Sequence, residues 1–173
     1  MKLNAKQLRV SEPTKKDLAK IARRQIYIIC DNILDTYNIG SIFRLADAVA
    51  ASKVYLCGQT ATPPYHRIAK AAVGTEKWVP WEYASSAAEA ITKIKNRKSK
   101  VKIVAIEQSK KSIDYRRADL GEPVVFIVGH ETSGVSKEAL GLVDQIVELP
   151  MFGVNRSLNV MVSLAIVLSK VIE

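Results

Sequence analysis

Polar residues interrupt an apolar stretch at residues 147–163 of this 173-residue chain, and their types could bind a ligand. An apolar run of strand character stops at Pro150, a loop with Gly153 follows, and Ser157 and Asn159 then enter a long apolar segment of helical character. A loop between a strand end and a helix start offers unpaired backbone amides and a helix dipole to a ligand. This loop is therefore predicted to bind a ligand.

Two earlier loops follow short apolar runs in the same way. The first carries an amide, a glycine and a guanidinium, at Asn38, Gly40 and Arg44. The second carries one carboxylate between two glycines, at Gly129, Glu131 and Gly134. Glycines permit close approach of the backbone to a ligand, and open α/β sheets bind ligands outside the carboxyl ends of their strands. All three segments are therefore candidate ligand loops.

The sequence contains none of the common phosphate-binding or hydrolase motifs. The segment 129–134 lacks the Lys-Ser/Thr pair of a P-loop, and neither G-x-G-x-x-G nor G-x-S-x-G occurs. Two histidines and two scattered cysteines give little support for a metal cluster. No metal is therefore predicted.

Strand and helix patterns alternate along the chain. Strands are predicted at residues 26–30, 53–57, 77–81, 101–106, 124–128 and 146–149. Helices are predicted at residues 14–24, 39–51, 65–73, 85–96, 136–142 and 157–172. This βαβα alternation predicts an α/β fold with a mostly parallel sheet and helices on both faces. The length predicts a single domain over residues 26–173, preceded by a basic helical extension over residues 1–25.

The charge balance indicates a polyanionic partner. Lysine and arginine number 26 against 17 acidic residues, a formal net charge of +9. The excess is clustered within residues 15–24, 93–102 and 110–117. Clustered basic residues on a folded domain suggest nucleic acid as the partner, and solvated helix faces are the alternative explanation.

The sequence also predicts a cytoplasmic protein without membrane association. No segment has the length and flanks of a signal peptide or the length of a membrane span. Cys30 and Cys57 each end an apolar run, which predicts buried free thiols rather than a disulfide. A reducing compartment fits this use of cysteine.

Taken in order, the three loops resemble the motifs of the SpoU (TrmH-like) branch of the SPOUT RNA methyltransferases. Asn-x-Gly-x-x-x-Arg corresponds to residues 38–44, and Gly-x-Glu-x-x-Gly after an apolar strand corresponds to residues 129–134. Pro-Met-x-Gly followed by Ser-Leu-Asn-Val corresponds to residues 150–160. The order and spacing agree over residues 26–172. One departure is the segment 161–163, where the family more often has a small residue directly after the valine, and this concerns helix packing more than chemistry.

The resemblance implies a fold, a cofactor and a reaction. The fold would be an α/β trefoil knot, and the protein would be a homodimer with its active site near the interface. The cofactor would be S-adenosylmethionine, leaving as S-adenosylhomocysteine. Its implied contacts are Ala105, Ile106, Glu107, Gly129, Gly134, Leu149, Met151, Gly153, Ser157 and Leu158. The reaction would be methyl transfer to a ribose 2′-hydroxyl of RNA. The short stretch before the first strand leaves little room for the RNA-binding domain of rRNA-directed relatives, so tRNA is favoured over rRNA.

The resemblance also implies a catalytic set, in which Arg44 is the family's proposed catalytic residue. A guanidinium stays protonated in proteins, so we favour a role in which Arg44 grips the adjacent phosphate and stabilises developing alkoxide charge. Glu131 could orient Arg44 or RNA, or only satisfy loop amides. Ser157 could be only a helix N-cap, and Asn38 only a turn residue. Asn159 is harder to explain as structure, because it lies just inside an apolar helix.

Two other function classes stay open at this point. A non-catalytic RNA-binding protein could retain the fold, although the intact motif side chains argue against it. A nucleotide-binding α/β enzyme of unrelated chemistry is the second. His130, beside the motif glutamate, is more commonly a loop-filling residue than a catalyst.

Overall fold

Seven strands form one sheet in which every pair of neighbours is parallel, as the sequence predicts. The computed structural model describes residues 2–172. The strands are β1 (Arg24–Asp31), β2 (Ala51–Cys57), β3 (Trp81–Ala84), β4 (Lys102–Ile106), β5 (Ile113–Asp114), β6 (Val124–Gly129) and β7 (Gln145–Glu148). Their order across the sheet is β3-β2-β1-β6-β4-β7-β5. The carboxyl ends of all the strands therefore lie along one edge of the sheet.

Seven α-helices are found in the described residues. They are α1 (Ala5–Val10), α2 (Lys15–Ala19), α3 (Thr36–Ala48), α4 (His66–Ala72), α5 (Ala87–Arg97), α6 (Lys137–Leu140) and α7 (Val160–Val171). Of these, α3 and α4 are the two that connect strands adjacent in the sheet. Within the described part of the chain, no helix is long and apolar enough to cross a membrane.

Helices cover both faces of the sheet, and the central strand β1 shows why. Ile26, Ile28 and Cys30 face a core shared with α3, α4 and α7, whereas Ile29 faces a second core shared with α5 and α6. Successive side chains of a strand point to opposite faces, so a strand with a helical layer on each face must be apolar throughout. This confirms the prediction of helices on both sides.

Several predicted boundaries are wrong. Residues 77–81 are not a strand: Thr75–Lys77 form a single 3₁₀ turn, and β3 begins only at Trp81. The predicted helix 14–24 contains only α2, because Arg24 already pairs in β1. No strand is predicted between residues 106 and 124, yet the edge strand β5 lies there. Short apolar runs do not distinguish strands from turns without their tertiary partners.

The N-terminal residues pack against the turn at Thr75–Lys77. Trp78 donates its indole N–H to the Ser11 hydroxyl at 2.9 Å, and the Lys77 ammonium pairs with Glu12 at 2.5 Å.

At the C-terminal end of the chain, α7 packs on α3. The last strand, β7, lies between the earlier strands β4 and β5. The trefoil knot stays a prediction.

Candidate active site

The three sequence motifs meet through one chain of hydrogen bonds. Asn159 donates its side-chain N–H to the Asn38 side-chain oxygen at 3.0 Å. Asn38 in turn donates to a Glu131 carboxylate oxygen at 3.2 Å. Asn38 is only 5% exposed and lies in the first turn of α3. The structure therefore brings together three of the predicted catalytic residues from three distant segments.

Glu131 also binds the backbone that leads into α3. Its carboxylate accepts hydrogen bonds from the amides of Leu34, at 3.2 Å, and Asp35, at 2.9 Å. Burial raises the pKa of the Glu131 carboxyl, but these amides and the Asn38 side chain outweigh burial, so its pKa lies below the ordinary glutamate value. Glu131 thus stays ionised and fixes the start of α3 against the loop after β6.

A cavity of ≈ 510 Å³ opens beside this relay at the carboxyl edge of the sheet. Loops that follow β4, β6 and β7 form its walls. The predicted site residues among its lining are Ile106, Glu107, Gly129, Glu131, Gly134, Leu149, Met151, Ser157, Leu158 and Asn159. The volume lies in the usual range of small-molecule sites. The loops after β4, β6 and β7 therefore enclose a space that could hold a cofactor.

Four amides of the loop after β6 are occupied by internal hydrogen bonds. The amides of Thr132 and Ser133 both donate to His130 Nδ1, at 3.0 and 3.2 Å. The Gly134 amide donates to the His130 carbonyl at 2.9 Å, and the Val135 amide donates to Glu107 at 2.8 Å. With its amides occupied, the loop suits a ligand that donates hydrogen bonds, such as an amino group. His130 therefore does more than fill space in the loop, because its hydrogen bonds hold the loop's conformation.

Gly134 allows the Glu107 carboxylate to approach the loop closely. Gly134 has φ +71°, and a Cβ atom there would stand 2.1 Å from Glu107 Oε2. Glu107 is itself fixed, because it also accepts the Gln108 amide at 3.0 Å. These two residues were both predicted to contact the cofactor, and they contact each other in the wall of the cavity.

Four predicted site residues lie outside the cavity lining: Asn38, which reaches it only through its hydrogen bonds to Glu131 and Asn159, and Arg44, Ala105 and Gly153. Ala105 is fully buried in the sheet, and Gly153 has no atom within 4 Å of an added Cβ. Arg44 is exposed on α3, on the same side of the helix as Tyr37, and makes no hydrogen bond or ion pair with another residue in the range 2–172. Its guanidinium is thus available to a ligand outside the cavity.

Gly40, the glycine of the same motif, packs α3 against α4, where a Cβ would stand 2.5 Å from the Ile68 carbonyl.

The basic clusters are not equally available. In the cluster at residues 93–102, Lys93 pairs with Glu82 and Glu89, and Lys102 pairs with Asp119. Since this cluster lies around the start of β4, it is at the sheet edge opposite the cavity. Lys110 and Lys111, by contrast, are exposed beyond the carboxyl end of β4. The cluster at residues 110–117 is therefore the better candidate for binding a polyanion.

Comparison with known proteins gives the family. The sequence model described as the SpoU rRNA Methylase family matches residues 25–169. The chain belongs to the SpoU family. The match covers most of the chain, including all three motif loops, and it confirms the resemblance found in the sequence.

Relatives in the SpoU family include tRNA-modifying enzymes. The tRNA (guanosine(18)-2′-O)-methyltransferase of Aquifex aeolicus is 31% identical over 88% of this chain and 71% of its own length. The enzyme of that name in Escherichia coli strain K12 is 32% identical over 86% of this chain and 64% of its own length. This chain therefore spans about two thirds of these curated relatives.

Solved SpoU structures have the same fold. The A. aeolicus TrmH/SpoU tRNA modifying enzyme superposes with a TM-score of 0.77 at 30% identity, over 96% of this chain and 79% of its own. The methyltransferase AviRb from Streptomyces viridochromogenes, solved in complex with AdoMet, gives 0.77 at 26% identity, over 88% and 62%. The predicted parallel α/β architecture is confirmed.

The beginning of α7 corrects two interpretations of the SpoU motif near the C-terminus. The helix begins at Val160, and its N-cap is Asn159, whose side chain accepts the Met161 amide at 2.9 Å. Ser157 is therefore not an N-cap; it is an exposed loop residue in the cavity wall. Asn159 has the structural role that its position seemed to lack, and it contacts Asn38 as well.

Asp31, the last residue of β1, was not among the predicted site residues, yet it holds the loop that follows β6. Asp31 is 1% exposed, and its carboxylate accepts the Ser136 amide at 2.8 Å. A signal was available, because a buried acidic residue directly after an apolar run, here residues 26–30, is unusual. Residues of the described range form no group of three or more His, Cys, Asp and Glu able to hold a metal ion.

Proposed function

We propose that this protein is an S-adenosylmethionine-dependent RNA methyltransferase that modifies a ribose 2′-hydroxyl, with tRNA as the favoured substrate. The observation that carries the proposal is the relay from Asn159 through Asn38 to Glu131, which unites the three SpoU motifs at the mouth of a cavity. The names of the Aquifex and E. coli relatives support ribose methylation of tRNA. The AdoMet complex of AviRb supports the cofactor.

The residues of the cavity fit this cofactor. The loop carbonyls after Gly129 can accept hydrogen bonds from the amino group of an adenine, since the loop's amides are already occupied. Ile106, Leu149 and Leu158 provide apolar surface for the ring. When bound, the cofactor supplies an activated methyl group. The protein must then align the ribose hydroxyl and stabilise its oxygen as the proton leaves.

Arg44 supplies positive charge toward the RNA. A guanidinium does not give up its proton in proteins, so Arg44 does not act as a base here. Its exposed, unengaged position on α3 lets it bind a phosphate next to the acceptor ribose and stabilise negative charge on the 2′-oxygen. Glu131 acts indirectly, because it fixes the backbone at the start of α3, the helix that carries Arg44.

The proposal includes a homodimer that works in the cytoplasm. Large apolar side chains near the cavity, Phe152 at 90% and Val154 at 103% exposed, would be covered by a partner subunit. Cys30 and Cys57 are both buried and unpaired, in keeping with a reducing compartment. Residues 1–25 act as an extension of the domain at residues 26–173, and its C-terminal segment forms the knot.

Methyl transfer from isotope-labelled S-adenosylmethionine to unmodified tRNA transcripts tests the proposal, with 2′-O-methyl positions mapped by mass spectrometry. We expect transfer to ribose with the wild-type protein and its loss in Arg44→Ala. Calorimetry should show unchanged cofactor affinity in Arg44→Ala. Arg97→Ala, an exposed arginine at the end of α5, is the matched control and should retain activity. Near-wild-type turnover in Arg44→Ala would contradict the assigned role, and a wild-type protein that binds RNA without methylating it would favour a non-catalytic binding protein.

A further inference from the structure

A second cavity of ≈ 530 Å³ lies beside the first along the same sheet edge. His130 and Gly134 line both cavities. The first cavity follows the ends of β6, β4 and β7, whereas the second follows the ends of β2, β1 and β6. The two spaces are therefore adjacent and separated only by the loop after β6.

The frame of the second cavity is preformed by hydrogen bonds. Asn32, in the left-handed conformation with φ 57°, accepts the Gln59 amide at 3.0 Å and donates to Asp31 at 2.9 Å. The buried Asp31 carboxylate also accepts the Ser136 amide at 2.8 Å. These contacts tie together the loops that follow β1, β2 and β6. The cavity is thus a fixed feature of the sheet edge.

Three polar side chains of the lining are left without an internal partner. The Gln59 amide, the Ser133 hydroxyl and the Lys137 ammonium are exposed and make no hydrogen bond with other residues in the range 2–172. An amide and a hydroxyl can each donate and accept, which suits the edge of a nucleobase. An ammonium suits a phosphate. Together, the three side chains suit the groups of one nucleotide, namely a base and its phosphate.

We propose that this second cavity holds a nucleotide of the RNA that neighbours the methylated one, with Gln59 and Ser133 on its base and Lys137 on its phosphate. The inference rests on the proposed function, because an RNA whose ribose reaches the first cavity must continue along the surface. Neighbouring strands lie about 5 Å apart, so the space over β1 and β2 is within a nucleotide's reach of β6. The second cavity would then help to select which position is modified.

The test compares Gln59→Ala and Lys137→Gln with the wild type. Binding of unmodified tRNA transcripts is measured by filter binding over a range of KCl concentrations, and S-adenosylmethionine binding is measured by calorimetry. Methylated positions are mapped by mass spectrometry. Lys100→Gln is the matched control, because Lys100 is exposed just before β4, at the opposite edge of the sheet.

We expect Gln59→Ala to weaken RNA binding by roughly tenfold and to alter the distribution of methylated positions. Lys137→Gln should weaken RNA binding and reduce the slope of log affinity against log salt by about one. Cofactor affinity should be unchanged in both variants. Lys100→Gln should behave as the wild type.

Two results would overturn the inference. If both variants bind and modify RNA as the wild type does, no nucleotide occupies the cavity. If they lose cofactor affinity instead, the cavity belongs to the cofactor site. A wild-type protein that does not methylate RNA would refute the proposed function separately, and the binding measurements would still decide whether Gln59 and Lys137 contact RNA.

Discussion

Asn159 and Asn38, 121 residues apart in the sequence, are joined by a hydrogen bond of 3.0 Å. The bond connects the N-cap of α7 to the first turn of α3. Asn38 is buried, and its other side-chain hydrogen bond goes to Glu131. An unsatisfied buried amide costs more than a hydrogen bond contributes. The pair therefore fixes the position of the loop after β7 against the loop after β1.

A double-mutant cycle should reveal this coupling. We expect Asn38→Ala to lower the free energy of unfolding by about 1–3 kcal/mol, because Asn159 and Glu131 lose a partner. Asn159→Ala should cost about 1 kcal/mol from the lost N-cap in addition to the lost contact. In urea denaturation the double mutant should be less destabilised than the sum, by about 0.5–3 kcal/mol. Asn4, the N-cap of α1, provides the control, since Asn4→Ala should add to Asn38→Ala without coupling.

The stabilisation supplied by Glu131 should depend on pH. The pKa of Glu131 is lower in the folded protein than its ordinary value of 4.5. Its contribution is therefore fully present above that value and is lost as the pH falls through the folded pKa. We expect the difference in unfolding free energy between wild type and Glu131→Gln to be largest near neutral pH and to shrink in acid. A difference that is constant with pH would contradict the assigned amide contacts. Glu138→Gln, at an exposed glutamate of α6, should have a small effect near neutral pH.

The sequence was sufficient for the fold class and the three loops, but not for the contacts between them. The run at residues 124–128 is continuous enough in apolar character to be predicted as a strand buried on both faces, which β6 is. The Asn159–Asn38 bond depends on how α7 packs on α3, and no local pattern encodes that packing. Ser157 illustrates the limit, since a serine before an apolar run is a good N-cap by pattern, yet the helix begins at Val160. Boundaries of this kind are decided by tertiary contacts.

The two cysteines should be inert in the native protein. Burial raises the pKa of the Cys57 thiol to about 12 and raises the pKa of Cys30 well above its ordinary value. Thiolates are the reactive form of cysteine, so both side chains should resist a thiol-specific reagent until the protein unfolds. Titration with such a reagent, with and without urea, measures this directly. Rapid modification of either thiol without urea would show that the sheet opens locally.

Gly134→Ala should disrupt the cofactor cavity from within its wall. A Cβ at this position would meet the Glu107 carboxylate at 2.1 Å, and φ of +71° is unfavourable for alanine. We expect a loss of about 1–3 kcal/mol in unfolding free energy and weaker S-adenosylmethionine binding by calorimetry. Gly141→Ala is the matched control, because its Cβ would meet only ordinary contacts at 3.4 Å or more, and φ is −70°.

The clash with Glu107 should account for part of the stability and cofactor affinity lost in Gly134→Ala. Glu107→Ala removes the clash but leaves the Val135 amide, now bonded at 2.8 Å, without its acceptor. Each single substitution should therefore weaken both stability and cofactor binding, whereas the Glu107→Ala, Gly134→Ala double mutant should be less affected than the sum of the two. Strict additivity would mean that the left-handed backbone alone, rather than contact with the carboxylate, makes glycine necessary at residue 134. Sub-additive losses in cofactor affinity would show that Glu107 acts by positioning the loop, because removing a direct ligand contact would cost the same with either residue at position 134.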